Sequence, residues 1–544
     1  MPFLRQIFAG LLLSGSFATV YGQIPEAKEF ERVTLATNLT QPMGMAFLPG
    51  GKIMLAERQG TLKIYKPDTK TTVTAGKLAA RADGENGLLG LALDPAFQAN
   101  GWVYFYYQNT DGHNRLSRLT VKGDSLTLGS EKILLEVINE GGGHVGGNLH
   151  FGPDGNLYLS TGDNTSWQNW LDEDLPGNDA MRTSGNTMDL RGKIIRIKPK
   201  PLADGVAGPT PGIGATYDIP VGNLFPTAGG IQGRKEIFAM GFKQPFRFSI
   251  DPTNNWLYVG DVGPDFDKYG ATGFEEVNII KQAGNFGWPA FIGPLANKDP
   301  KTGTFYDPAN PRNLSKNNTG SQQLPVTNAP WLWYVNHWFN NTDHCSTQFT
   351  AVGCDDKGAA MAGPVYHYSA AVTSPGKLPG VLDGHFFWWD FQRLKIFGAK
   401  PGVNGAQPQV YVFPTGFDAN SLIDMQLGPD HHLYIILYGT NSFTPGTVGG
   451  LYRIDYLGSD TRVGKPVQIG GKNLEIRRVS GGFQVSMPAK GDITISNSRG
   501  EVIHRHRSPG GRVENIDLTG LRQGIFFLKI KGAARNESHK LIWP

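Results

Sequence analysis

Apolar and polar positions alternate along this chain in short runs broken by Pro, Gly and Asp turns, and one pattern recurs. An apolar run leads into such a turn, and the turn leads into a second alternating run that ends on Gly, Asp or Glu. Residues 45–48 turn at Pro49-Gly50-Gly51 into residues 53–57, and residues 91–93 turn at Asp94-Pro95 toward residues 103–106. The clearest copy is residues 149–151, with Gly152-Pro153-Asp154-Gly155 and then residues 157–160. Residues 248–250 with Asp251-Pro252 and residues 256–261 repeat it, as do residues 425–427 with Gly428-Pro429-Asp430 and residues 433–436. Most copies are followed by a third run, as at residues 62–65, 193–197 and 451–454, and a weaker unit at residues 384–389 and 395–398 brings the number to six. Sheets repeated about an axis cover one another's faces and leave only short edges, so the pattern predicts an all-β fold, a six-bladed β-propeller. An array of β-sandwiches is the alternative.

The spacing breaks in three places. Residues 164–235 and 290–360, rich in Gly, Pro, Asn and Asp or Trp, are too long for ordinary turns and are expected to build the site. From about residue 461, short alternating strands near 483–486, 493–496 and 524–530 predict a separate small β-sandwich. At the N-terminus Arg5 precedes an apolar run at residues 7–20 and then small residues near Gly22, the pattern of a secretory signal peptide. The expected organisation is therefore a signal peptide at 1–22, the propeller at 23–460 and the β-sandwich at 461–544.

Composition narrows the function. Gly (72) and Pro (36) in 544 residues suit a turn-rich folded chain, and only 18% charged residues argue against long solvated helices. A formal charge of +4 without a basic stripe makes nucleic acid an unexpected partner. Cys345 and Cys354, in a polar loop of an exported chain, are expected to form a disulfide; His344 and Asp355 beside them leave a metal site as the alternative.

Two constellations carry chemistry. Residues 141–147 match G-x-G-x-x-G, but they lead into a strand-turn-strand and not into a helix whose N-terminus would hold pyrophosphate, so dinucleotide binding is rejected. Glycines around a lone His144 instead admit a flat or bulky ligand to an imidazole, and Asp163, at the end of the next strand in the same repeat, is placed to fix its tautomer as a general base. In the second, the carbonyls of Gly263 and Pro264 after Asp261, with Glu275 and Glu276 downstream, offer hard oxygen ligands of the kind Ca²⁺ takes; a solvated acidic loop is the alternative.

Residues 85–97, the His144 glycine segment, residues 152–155 through Gly162-Asp163-Asn164, residues 241–245, and residues 276–278 through 284–289 occur in that order. Together they resemble the soluble pyrroloquinoline quinone (PQQ) dependent sugar dehydrogenases, the glucose/sorbosone dehydrogenase family, over residues 30–457. The resemblance implies PQQ bound at the propeller mouth through Ca²⁺, with His144 taking the proton of the sugar C1 hydroxyl while hydride passes to the quinone, and Asp163 orienting the ring. Glu85, Lys243, Gln244 and Arg393, with Lys395 as a further cation, would contact the cofactor; Gly263 and Pro264 would hold calcium, with Glu275 and Glu276 in or behind its shell. The family usually has Arg-Asn where this chain has Lys243-Gln244, and lysine is a point donor not equivalent to a planar guanidinium, which raises Arg247 as a possible substitute. The tail resembles C-terminal sorting domains of exported bacterial proteins, with a carbohydrate-binding module as the alternative. The expected function is an exported aldose dehydrogenase working with a sugar, an electron acceptor and the export machinery. A calcium-dependent lactonase-type hydrolase and a non-catalytic glycan- or protein-binding propeller remain alternatives on the same fold.

Overall fold

The structure is a computed structural model of the chain. It describes residues 24–543 apart from 142, 167–169, 227–228, 265–272, 336–348, 350–357, 393–394, 402–407, 415–420, 441, 445, 459–474, 480–481, 488–490, 498, 510–511, 518–523 and 533–534. The expected signal peptide, Cys345, Cys354 and Arg393 lie outside the described residues. One compact unit spans Glu26–Leu457, and a second contains Gly458–Pro544.

The first unit is almost entirely strand. Pro42–Phe47, Ile53–Glu57, Thr61–Lys66 and Thr71–Lys77 form an antiparallel meander, and Leu88–Leu93, Trp102–Gln108, Asn114–Lys122 and Ser125–Val137 form the next. Among the described residues six such sheets occur in this unit. The leading strand of each packs on the leading part of the next, from Pro42–Phe47 through Leu88–Leu93, Leu149–Phe151, Gln244–Ile250, Ala360–Val365 and Leu422–Leu427, and the last returns to Pro42–Phe47. The circuit is closed, and the architecture is that of a β-propeller. Near the axis the strands run too close for side chains: a Cβ on Gly90 would sit 2.0 Å from the Gly147 carbonyl oxygen.

Strands covered on both faces read as apolar runs rather than alternations. All five residues of Ile53–Glu57 are buried, as are all five of Leu157–Thr161. Between sheets the faces interlock. Met54, Leu62 and Ile64 of the first sheet pack with Leu88, Phe105 and Leu119 of the second, and each such side chain contributes about 1.5–3 kcal/mol by leaving water.

The ring is closed by chain ends. The last sheet is built from Leu422–Leu427, Leu433–Leu437 and Val448–Tyr456, and its outer strand is the N-terminal Phe30–Thr40, running antiparallel from Phe30 opposite Tyr456 to Thr40 opposite Val448. The third sheet is irregular in a way that matters for the site. Residues 164–192 leave it between Leu157–Thr161 and Lys193–Pro199, and Gly284–Asn285 returns to pair in parallel with Ile237–Met240 at its edge. The second long insertion supplies Leu332–Val335, the outer strand on Phe274–Ile280.

The second unit has two antiparallel sheets. One orders Glu475–Val479, Gly482–Met487 and Arg512–Asp517; the other orders Val502–Ser508, Gly491–Asn497, Gly524–Gly532 and Arg535–Trp543. Ile493, Ile495, Leu528 and Ile530 form the buried face of the latter, the period-2 pattern of a β-sandwich.

Candidate active site

His144 sits in the loop before Leu149–Phe151 and no helix follows the glycines, in keeping with the rejection of dinucleotide binding. Its backbone is left-handed, with φ +49°, and is held from both sides: its N–H donates to Glu85 Oε2 at 2.7 Å, and its carbonyl accepts from Asn164 N–H at 3.0 Å. Gly162 is required beneath it, because a Cβ there would lie 2.1 Å from the His144 carbonyl oxygen. Glu85 in turn is fixed by Arg58, which is buried and donates to the carbonyls of Ala82, Gly84 and Asn86 at 2.8 Å each. A buried guanidinium satisfied by backbone is thus the post on which the Glu85 turn is tied.

The imidazole is bonded at both nitrogens. Nδ1 is 2.9 Å from Asp163 Oδ1, and Nε2 is 3.0 Å from Lys243 Nζ. Asp163 is fully buried, and burial alone would raise its pKa; its pairing and hydrogen bond with His144, the Lys243 charge and the Thr165 N–H outweigh that and hold it below the usual value. The carboxylate therefore accepts from Nδ1–H, and the Nε2 lone pair faces the lysine. Asp163 also accepts from the Thr165 N–H at 3.0 Å, the Thr165 hydroxyl at 2.8 Å and the Trp288 indole N–H at 2.8 Å.

Lys243 and Gln244 reach the same cluster from the start of Gln244–Ile250. Gln244 accepts from Gly146 N–H at 2.8 Å and donates to Glu85 Oε2 at 2.8 Å, so Glu85, Gln244 and the His144 loop form one network. The backbone N–H groups of Lys243 and Gln244 both donate to Asp261, at 3.1 and 2.7 Å. Asp261, which precedes Gly263-Pro264, thus clamps the turn into Gln244–Ile250. Burial, reinforced by Glu276, raises its pKa well above the carboxylate range.

Arg247 does not substitute for the family arginine. Its guanidinium donates to the carbonyls of Ile423, Phe246 and Met43 and is committed to closing the ring. Lys395 begins the strand Lys395–Lys400 opposite Asp390.

The predicted calcium residues divide between two faces of a strand. Glu275 is wholly buried and accepts from Gly263 N–H at 3.2 Å and Ala360 N–H at 2.7 Å, which places it behind the Gly263-Pro264 turn. Glu276, the next residue of Phe274–Ile280, faces the other way toward its cross-strand partner Asp261, accepting from Gly293 N–H at 2.6 Å and Asn278 at 3.1 Å. Burial pushes it up to about 7. Among the described residues no cluster of three or more His, Cys, Asp or Glu side chains is arranged around a metal position.

Residues 39–299 match the glucose/sorbosone dehydrogenase family, and residues 479–543 match the secretion system C-terminal sorting domain. Over residues 39–299 the chain is thus similar to that dehydrogenase family. It is 27% identical over 288 residues to quinoprotein glucose dehydrogenase B of Acinetobacter calcoaceticus, covering 49% of this chain and 54% of that protein. It is 26% identical over 268 residues to an aldose sugar dehydrogenase of Escherichia coli, covering 47% and 60%. The matches to these curated relatives thus span little more than half of their length. Human Hedgehog-interacting protein also matches, at 26% identity over 40% of this chain and 31% of its own, so the family extends to proteins named for binding. Among solved structures, a glucose dehydrogenase-type oxidoreductase of Thermus thermophilus superposes with a TM-score of 0.54 at 22% identity, over 78% of this chain and 99% of its own. The PQQ-bound aldose sugar dehydrogenase of Streptomyces coelicolor gives 0.50 at 19%, over 80% and 99%. These likenesses establish the fold, and the activity has to be argued from the residues of the site itself.

Proposed function

We propose that this protein is an exported quinoprotein dehydrogenase that oxidises the C1 hydroxyl of an aldose to the lactone, with PQQ as cofactor and Ca²⁺ as its anchor. The observation that carries the reading is the bonding of His144: Nδ1–H tied to a buried carboxylate, and the Nε2 lone pair turned toward the Lys243 ammonium. This is a general base with its orienting acid and an adjacent cation. A quinone that carries carboxylates calls for cations and hydrogen-bond donors, and Lys243 and Gln244 both bond to the His144 loop and its imidazole. PQQ, when bound, supplies the two-electron acceptor.

The chain's own residues then have separate tasks. Nε2 of His144 receives the hydroxyl proton, and Asp163 stabilises the imidazolium that results. Lys243 places positive charge beside the reacting oxygen, where negative charge develops. Glu85 and Gln244 hold the loop and the cofactor edge together. The carbonyls of Gly263 and Pro264 would hold calcium, with Glu275 fixing their turn from behind. Arg393 remains proposed as a cofactor contact on sequence alone. The sorting domain supports export to the surface or medium, and among the described residues no helix is long and apolar enough to cross a membrane.

Reconstitution tests the reading. Purified protein supplied with PQQ and Ca²⁺ is expected to develop a quinone absorption band that bleaches on adding an aldose and to reduce a dye acceptor. Absence of both the band and sugar-dependent dye reduction across a panel of aldoses would sink it.

A further inference from the structure

Trp288 belongs to the segment 284–289, which contributes to the family resemblance but has no task in the chemistry so far. Its delivery to the site is topological. Gly284–Asn285 adds in parallel to the edge of Ile237–Met240, and the Trp288 N–H then donates to the Gly241 carbonyl at 3.1 Å, which turns the indole toward the buried side of the His144–Asp163 pair. The ring is 4% exposed and lies 5.4 Å from that of Trp170.

A carboxylate offers about four lone-pair sites, and at Asp163 each is met. Oδ1 takes His144 Nδ1–H and Thr165 N–H; Oδ2 takes the Thr165 hydroxyl and the Trp288 indole N–H. Asp163 has no exposed surface. The donors on both oxygens together fix the carboxylate plane, and with it how the imidazole stands; the Trp288 N–H is the one donor of these that comes from outside residues 144–165.

We propose that Trp288 is a positioning residue for the base, its indole N–H holding Asp163 Oδ2 so that Oδ1 fixes the Nδ1–H tautomer of His144. The inference rests on the reading of His144 as the base. A packing role would depend on ring volume, whereas a positioning role depends on one N–H; Trp288→Phe removes both, so it is paired with Thr165→Val, which deletes a donor to the same oxygen at nearly constant volume, and with a measurement that leaves Trp288 intact.

Loss of that donor leaves Asp163 more basic and the imidazolium beside it more stabilised. The other charged groups facing the pair stay in place: Glu85 at the His144 N–H, Lys243 at Nε2, Asp261 behind Lys243, and Lys193, which is buried beneath Asp163 and bonded to the carbonyls of Thr183, Ser184 and Arg191. In the cofactor-free full-length protein the His144 titration, followed by nitrogen NMR of the ring, should rise by about half to one pH unit in Trp288→Phe. Thr165→Val, which removes the other donor to Oδ2, should move it in the same direction. In reconstituted enzyme the acid limb of kcat should shift with it, with kcat about tenfold lower and KM within about twofold.

An unmoved His144 titration in folded Trp288→Phe would overturn the proposal and leave Trp288 a packing residue. A second measurement needs no change at Trp288: its indole N–H resonance should move upfield in Asp163→Asn, and a stationary resonance overturns the proposal equally. Both readouts use apoprotein, so a shifted titration with failed reconstitution counts against the dehydrogenase reading alone.

Discussion

At Lys243 the chain presents an ammonium where the family resemblance implies a guanidinium, and the consequence is geometric. A guanidinium presents two parallel donors, whereas Lys243 presents one ammonium, and that ammonium rests 3.0 Å from His144 Nε2. The lysine therefore has to leave the base before a hydroxyl can approach it. Lys243→Met should reduce kcat in dye-reduction assays by about 10²-fold, the usual scale for loss of an electrostatic donor, with the quinone band still forming; an unaltered kcat would remove Lys243 from the charge stabilisation. His144→Ala should lower kcat by about 10²- to 10⁴-fold and also leave the band. His144 and Asp163 were legible in the sequence because one repeat carries both. The clamp made by Asp261 and the commitment of Arg247 to three carbonyls were not: the first spans two paired strands across 17 and 18 positions, the second reaches strands of two other sheets, and neither leaves a local mark.

Strand-turn-strand units were legible for a related reason: their signal is local, an Asp-Pro or Pro-Asp-Gly turn between alternating runs. Gly284–Asn285 escaped, being two residues long and paired in parallel with a strand some forty positions earlier. Inner strands also hide titratable groups whose effect is felt only once the sheets pack. His150 of Leu149–Phe151 lies 5.0 Å from the Phe248 ring, with Nε2 3.2 Å from Asn148 Nδ2. Burial, with Arg247 adding, pushes its pKa down to about 4 from 6.5. Between those values the unfolded chain binds the proton that the folded chain refuses, so stability rises with pH across the window and is lost as pH falls through it. The shift corresponds to about 3 kcal/mol at most. His385, also pushed down to about 4 by burial and Lys400, contributes to the same slope. The melting temperature of the apoprotein should thus fall between pH 6.5 and pH 4, and His150→Gln should flatten part of that fall; an unchanged slope would mean that His150 titrates normally.

Over the whole chain, the question is whether the propeller is complete without its tail. The N-terminal strand supplies the outer edge of the last sheet along Val448–Tyr456, and Leu457 N–H donates to the Glu29 carbonyl at 2.7 Å, so the ring is fastened by residues that all precede 458. Each of its sheets finds its strands within Glu26–Leu457, and every residue placed in the site lies there too. Closure of this kind makes unfolding cooperative, because freeing one sheet exposes faces of two neighbours. A chain ending at Leu457 should consequently fold, melt within a few degrees of the full-length protein and, when reconstituted, reduce dye at the same kcat. Expressed from the same leader in a host that exports the intact protein, it should remain inside the cell envelope instead of reaching the surface or medium, because residues 479–543 carry the sorting domain. Fractionation and melting distinguish the two jobs: a truncated chain that is exported normally removes the tail's proposed role, and one that cannot fold shows that the propeller draws stability from beyond its closing strand.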